Sequence, residues 1–354
     1  MNNSTTHILS LMDRTPVVDM HSDYAIELLR RESAGQPHAL REEHLPALRQ
    51  GRVRMEVLTV GGDFDIDTLL VWEPMVMDGI LDTTLRQIEE QPDFHLVRSR
   101  GELPARFAEK NLPPTDDRYF MLALEGIRGV RDLDDLRRMH DRGVRAVILT
   151  HNERNHAADG CAVSGASGLS DFGRAVLRAL EEMHMLLDLV HLSDASFWDA
   201  LERWPHPPVV SHSNARALCP HRRNLTDDQI REIGRRDGVI GLNFLGQFVD
   251  HTPALVTPDR LADHAVHIAT LAGPHCLGLG PDYADYYMDA MQRWIARDQL
   301  PADTMDFITG AEDVRSLPVF IEALAARGFT DTELAGILGG NALRIYSSVL
   351  PPQD

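Results

Sequence analysis

The chain of 354 residues is 43% hydrophobic and 25% charged, an ordinary globular composition with length enough for one sizeable core. Its 35 Lys and Arg against 54 Asp and Glu give a formal charge of −19, which repels phosphate backbones and anionic lipid and argues against nucleic acid or a membrane as partner. The opening MNNSTTHILSLMDRTP has no basic segment followed by an apolar one, and Cys161, Cys219 and Cys276 show no CxxC spacing. A cytoplasmic protein with reduced thiols is expected.

Eight short apolar runs read as strands in chain order: Val17–Asp23, Met55–Val60, Tyr119–Gly126, Ala146–Asn152, Met185–Ser193, Pro208–Asn214, Gly238–Leu245 and Cys276–Tyr283. Amphipathic stretches lie between them. Leu133, Leu136 and Met139 recur at helical spacing over Leu133–Arg142, and Phe172, Val176, Leu177 and Leu180 do so over Phe172–His184. Asp194 and Thr226 stand where N-caps belong, Thr226 with Gln229 completing a capping box, and Pro258–Asp259 opens a further helix. Tyr24–Arg54 and Asp282–Val314 are long polar connections, and Leu317–Tyr346 predicts closing helices under or beside the strands.

Near-continuous apolar strands alternating with helices imply a parallel sheet, and eight such units favour a (β/α)8 TIM barrel, spanning 1–354 as one domain. The two long connections follow strands one and eight, so they belong on the C-terminal face, where substrate walls are built.

On that frame the polar exceptions collect at one rim. His21 and Asp23 end strand one, Glu125 strand three, His151 strand four, His191 strand five, His212 strand six and Asp282 strand eight. A polar strand end explains His21 and Asp23 taken alone. A structural histidine explains His191 or His212 alone, and an ion pair with Arg128 or Arg131 explains Glu125 alone. Six strands delivering ionisable groups to one rim favour a metal site instead, since neutral imidazole and carboxylate suit zinc and similar ions. Glu125 has two oxygens that could bridge two cations, and Asp282 in GLGPDY is placed to carry a proton. His151 is placed to donate to a developing oxyanion, and the Arg222–Arg223 pair to grip a carboxylate. The Gly278-Leu279-Gly280 run lacks the third glycine and context of a dinucleotide fingerprint.

The runs DMHSD, ALEG, LTHN, DLVHLSD, VVSHSNARALCPHRRN, GLGPD and GGNALRIY resemble, in family order, the membrane dipeptidase (renal dipeptidase) family, peptidase family M19 of the amidohydrolase superfamily. The resemblance implies a metal-dependent hydrolase barrel with two zinc ions, or other divalent first-row metals. His21 and Asp23 would hold one ion, His191 and His212 the other, with Glu125 bridging and Asp282 as acid/base. His151 and Arg223 would contact the substrate. The implied activity is hydrolysis of dipeptides, including those with a C-terminal D-residue, by a metal-bridging hydroxide. A homodimer is compatible with it.

The chain departs from the family pattern at Ala284, where an Asp is common, and at Ile127, where a second Gly follows the Glu. Strand two has few of the usual aromatics. With the altered loops Gly61–Val71 and Tyr283–Asp289, these departures keep open an alternative substrate: a cyclic amide, a lactone or a specialised biosynthetic intermediate. A metal-poor scaffold barrel is the non-catalytic alternative, and the presence of His21, Asp23, Glu125, His191, His212 and Asp282 together argues against it.

Overall fold

A computed structural model describes residues 3–66, 69–104, 116–287 and 307–353. The expected (β/α)8 barrel is present. Its parallel strands are β1 (Val17–Ser22), β2 (Val53–Gly62), β3 (Arg118–Glu125), β4 (Val144–Ile148), β5 (Leu186–Asp188), β6 (Val209–Val210), β7 (Val239–Leu242) and β8 (Leu277–Leu279). They hydrogen-bond in sequence order from β1 to β8. The two ends of this sheet come side by side to make a nearly closed barrel: a Cβ on Gly278 of β8 would stand 2.7 Å from Sδ of Met20 on β1. A short extra strand, Phe94–Leu96, pairs with the outer part of β3.

The helices of the outer layer follow the apolar spacing. Leu133–Asp141, Asp171–Glu182, Asp194–Arg203, Asp227–Arg235 and Pro258–Ala272 each bury a stripe against the strands. Thr226 and Gln229 form the capping box as expected. The cap at the preceding helix is Ser193 rather than Asp194: the Ser193 side chain accepts from the Ser196 N–H, and Asp194 is the first helical residue. There it favours the positive end of the helix dipole.

The connection after β1 is less of a loop than its polarity suggests. Tyr24–Ser33 and Leu45–Gly51 are helical, burying Ile26, Leu28, Leu45 and Leu48 beneath an outer face of Arg and Glu. Of the connection after β8, residues 288–306 lie outside the described residues, as do 67–68 in the loop after β2 and part of Tyr283–Asp289.

Two cores result. The larger fills the space between strands and helices, and the smaller occupies the barrel interior, with Val18, Met20, Met55, Val57, Met121, Ala123 and Val209. The closing helix Asn341–Val349 adds Leu343, Ile345 and Tyr346 to that interior cluster at the N-terminal ends of the strands. One end of the barrel is therefore plugged with apolar side chains, and chemistry is left to the other.

Two glycines let strands crowd together there. A Cβ on Gly241 or on Gly280 would overlap the carbonyl oxygen of Ser211. Gly280→Ala is accordingly expected to cost about 1–3 kcal/mol by overpacking. The check is the urea midpoint, and an unchanged midpoint would refute the packing argument.

Candidate metal centre

β1 is irregular between Asp19 and Ser22, a break in register with β2 that turns His21 inward beside Met20. Asp23 lies past the strand, at the N-cap of the next helix, yet its Oδ1 comes within 3.8 Å of His21 Nε2. Glu125 ends β3. His151 stands three residues beyond β4, His191 three beyond β5, His212 two beyond β6 and Asp282 three beyond β8. His191 and Asp282 have φ of 67° and 59°, the left-handed region that sharp exits from a strand require. The short strands stop early, and the turns after them aim the side chains.

All seven rim groups converge. Glu125 Oε1 lies 2.9 Å from His191 Nε2 and 3.5 Å from Nε2 of both His21 and His212. The His191 and His212 Nε2 atoms are 3.1 Å apart. Asp282 Oδ1 is 3.7 Å from His21 Nε2. Three sets have ligand atoms in mutual reach: His21, Glu125 and His212; Glu125, His151 and His191; and His21, Asp23 and Asp282. Glu125 belongs to two of them, as a bridging group would. His151 falls in ligand range of Glu125 and His191, closer to a metal position than the sequence reading had it. The ion-pair alternatives for Glu125 are absent: Arg131 pairs with Asp135 at 2.7 Å, and the Arg128 guanidinium lies over the Trp72 ring.

The electrostatics suit a cation. Burial, then the Arg223 guanidinium, pushes His21 and His151 down to about 3 and His191 well below the usual imidazole range. Burial and His21 do the same to His212. Glu125 is held well above the carboxylate range by burial and by Asp23 and Asp282, and Asp23 likewise by burial and Asp282. Neutral imidazoles thus face carboxylates that resist ionising together. His21 Nε2 is buried and makes no hydrogen bond, although three carboxylate oxygens stand 3.5–3.8 Å away. That is too long for a hydrogen bond and close to the ~3.4 Å between two donors about 2.1 Å from a shared tetrahedral ion. The donor set fits first-row divalent metals.

Arg223 is buried against the Phe248 ring and donates to the His212 carbonyl at 3.4 Å, whereas Arg222 is exposed. Of that pair, only Arg223 directs its charge at the site's imidazoles. Several neighbours escaped the sequence reading. Asn243 Nδ2 donates to Asp282 Oδ2 at 3.0 Å. Asn152 Oδ1 accepts from His191 Nδ1 at 3.0 Å. Asp63 accepts from the Arg128 N–H and from Asn155, and fills the space a side chain at Gly126, φ 113°, would need. Asn243 had one signal, a polar residue closing the apolar run GVIGL.

Comparison with known proteins identifies the family. An uncharacterised dipeptidase of Schizosaccharomyces pombe is 30% identical over 356 residues, covering 94% of this chain and 80% of its own. A probable dipeptidase of Pseudomonas aeruginosa superposes with TM-score 0.79 at 16% identity, over 98% of each chain. A metallopeptidase of Rhodobacter sphaeroides, solved with a phosphinate mimic of L-Ala-D-Ala, gives 0.78 at 20% identity, over 95% of this chain and 99% of its own. Residues 5–294 and 299–350 match the family described as membrane dipeptidase (peptidase family M19). With that match spanning both the barrel and its rim, the chain is an enzyme of the membrane dipeptidase family, peptidase family M19.

Proposed function

We propose that this protein hydrolyses dipeptides at a centre of two divalent ions, zinc being the expected metal. His21 and Asp23 would hold one ion and His191 and His212 the other, with Glu125 available to both. The observation that carries the reading is the convergence of three imidazole Nε2 atoms on one oxygen of Glu125. Bound divalent ions acidify water and polarise a carbonyl oxygen.

The chain's own groups supply the rest. Hydrolysis adds water across the C–N bond, so one proton must travel from the water to the leaving amine. Asp282, fixed by Asn243, takes that proton and returns it to the nitrogen. His151 donates to the carbonyl oxygen as negative charge grows there. Arg223 binds the substrate's free carboxylate, which restricts the enzyme to short peptides. The relative solved with the phosphinate mimic supports including a D-residue at the C-terminal position. Free thiols at Cys161, Cys219 and Cys276 support a cytoplasmic location.

Protein purified without chelator is expected to carry two equivalents of first-row metal. It should cleave dipeptides of L-L and L-D configuration but not tripeptides, lose activity to chelator and regain it with Zn2+. Absence of metal, or hydrolysis only of lactones or cyclic amides within the same panel, would refute the assignment.

A further inference from the structure

A histidine offers its Nε2 lone pair to a metal only when Nδ1 carries the ring hydrogen, so the group facing Nδ1 decides whether the ligand is ready. For His191 that group is Asn152. Its Oδ1 stands 3.0 Å from His191 Nδ1, while Nε2, on the other edge of the ring, lies 2.9 Å from Glu125 Oε1. An amide oxygen only accepts, so in this arrangement the ring hydrogen sits on Nδ1 and the Nε2 lone pair is free.

An amide can also turn over. With its NH2 toward His191, Asn152 would donate to Nδ1, and the ring hydrogen would move to Nε2, aimed at the metal position. The surroundings of Asn152 select the first arrangement. The Cys161 thiol donates to the same Oδ1 at 3.2 Å, and a turned amide would exchange that bond for one to a thiol sulfur, a weak acceptor. The thiol is held in place by backbone. Cys161 N–H donates to the His191 carbonyl at 2.7 Å, and Ala162 N–H to the Asn152 carbonyl at 2.8 Å. Gly160 lies so close that a Cβ on it would overlap the carbonyl oxygens of both His151 and Asn152. Residues 160–162 therefore strap the turn after β4 to the turn after β5.

We propose that Asn152 is a positioning residue for His191: its amide oxygen, kept in place by the Cys161 thiol, takes the Nδ1–H and leaves Nε2 for the cation. Asn152 acts through His191 and not on the substrate. This inference rests on the proposed metal centre. It sets two substitutions of similar size against each other. Asn152→Asp offers an oxygen in either orientation, so it preserves the Nδ1–H form. Asn152→Leu keeps the volume and removes the acceptor, and the ring hydrogen then finds its remaining partner from Nε2, in Glu125 Oε1.

The test combines imidazole 15N–1H spectra of the metal-free protein at pH 7.5 with Zn2+ titration against a chromophoric chelator. His191 should be the Nδ1–H tautomer in wild type and in Asn152→Asp, and shift toward Nε2–H in Asn152→Leu. Zn2+ binding at one of the two equivalents should weaken about 10–100-fold in Asn152→Leu and stay near the wild-type value in Asn152→Asp. A wild-type His191 in the Nε2–H form overturns the inference without needing any variant to fold. So does an Asn152→Asp variant that binds as weakly as Asn152→Leu, the result expected of a residue that only holds the loop. His191→Ala separates the two levels of the argument. If it loses one equivalent while Asn152→Leu changes neither affinity nor tautomer, the positioning role is wrong and the centre stands. If it keeps both equivalents, the centre is wrong and the inference falls with it.

Discussion

Glu125→Gln is expected to bind fewer than two metal equivalents and to lower kcat/KM by about 10³-fold or more, about 4 kcal/mol of transition-state stabilisation. It should also raise the unfolding temperature of the metal-free protein at pH 8. Gln keeps the shape and one carbonyl oxygen, so the loss reports charge rather than packing. The gain in stability follows from the same charge. Glu125 shares its buried position with Asp23 and Asp282, and each raises the pKa of Glu125 after burial has done so. Asp282 is pushed up to about 7, chiefly by burial. A carboxyl whose folded pKa is raised stabilises the fold most below its unfolded value, 3.8 for Asp, and that contribution is lost as pH rises through the folded pKa. The imidazoles act oppositely. His21 and His151 have folded values near 3, so their contribution is present above 6.5 and lost as pH falls. Above about pH 7.5 the histidines have nearly finished titrating in both states, and the raised carboxyls dominate. The metal-free protein should therefore lose stability between about pH 7.5 and 8.5, and metal loading should flatten that limb. Calorimetry of chelator-stripped and Zn2+-loaded protein across this range checks the sign. A metal-free protein that grows more stable with rising pH would sink the electrostatic account.

Much of this site was readable before any coordinates because buried parallel strands tolerate few polar residues. Each exception in an apolar run therefore carried information about the rim. What sequence could not place were the points where strands stop. β6 is only Val209–Val210, and β5 ends at Asp188, so His191 and His212 act from turns rather than strand ends. The left-handed backbone at His191 and Asp282 has only a weak signature, since His and Asp are enriched there yet adopt it at few of their positions. The helix Pro74–Glu89 was missed although Met77, Ile80, Leu81 and Ile88 are buried, because polar Thr83, Thr84 and Gln87 are buried among them and blur the stripe. The supporting shell was the least legible part. Asp188 meets Ser211 across 23 positions and Asn243 meets Asp282 across 39, and only the pairing of consecutive strands makes either pair adjacent. Local pattern identifies candidate donors to a metal, whereas the groups that hydrogen-bond them come from neighbouring strands.

Asp282→Asn is the second large effect, and it separates proton transfer from ligation. The residue's φ of 59° lies in the left-handed region, which Asn tolerates about as well as Asp, so the substitution leaves the backbone unstrained where Ala or Glu would not. The Asn243 side chain can rotate its amide to meet either group. Asp282 Oδ1 stands 3.7 Å from His21 Nε2, within the His21–Asp23–Asp282 set, and Oδ2 is engaged by Asn243. If Asp282 carries the proton, the variant should keep both metal equivalents and bind substrate with little change in KM, while kcat falls by about 10²–10⁴-fold. The acid limb of the kcat/KM profile should disappear with it, because an amide has no proton to gain. If Asp282 is chiefly a ligand, metal content and activity should fall together and excess Zn2+ should restore part of the rate. Metal analysis and steady-state kinetics on one preparation decide between these roles. A variant with wild-type kcat at full metal occupancy would remove Asp282 from the mechanism and leave hydrolysis without its assigned proton carrier.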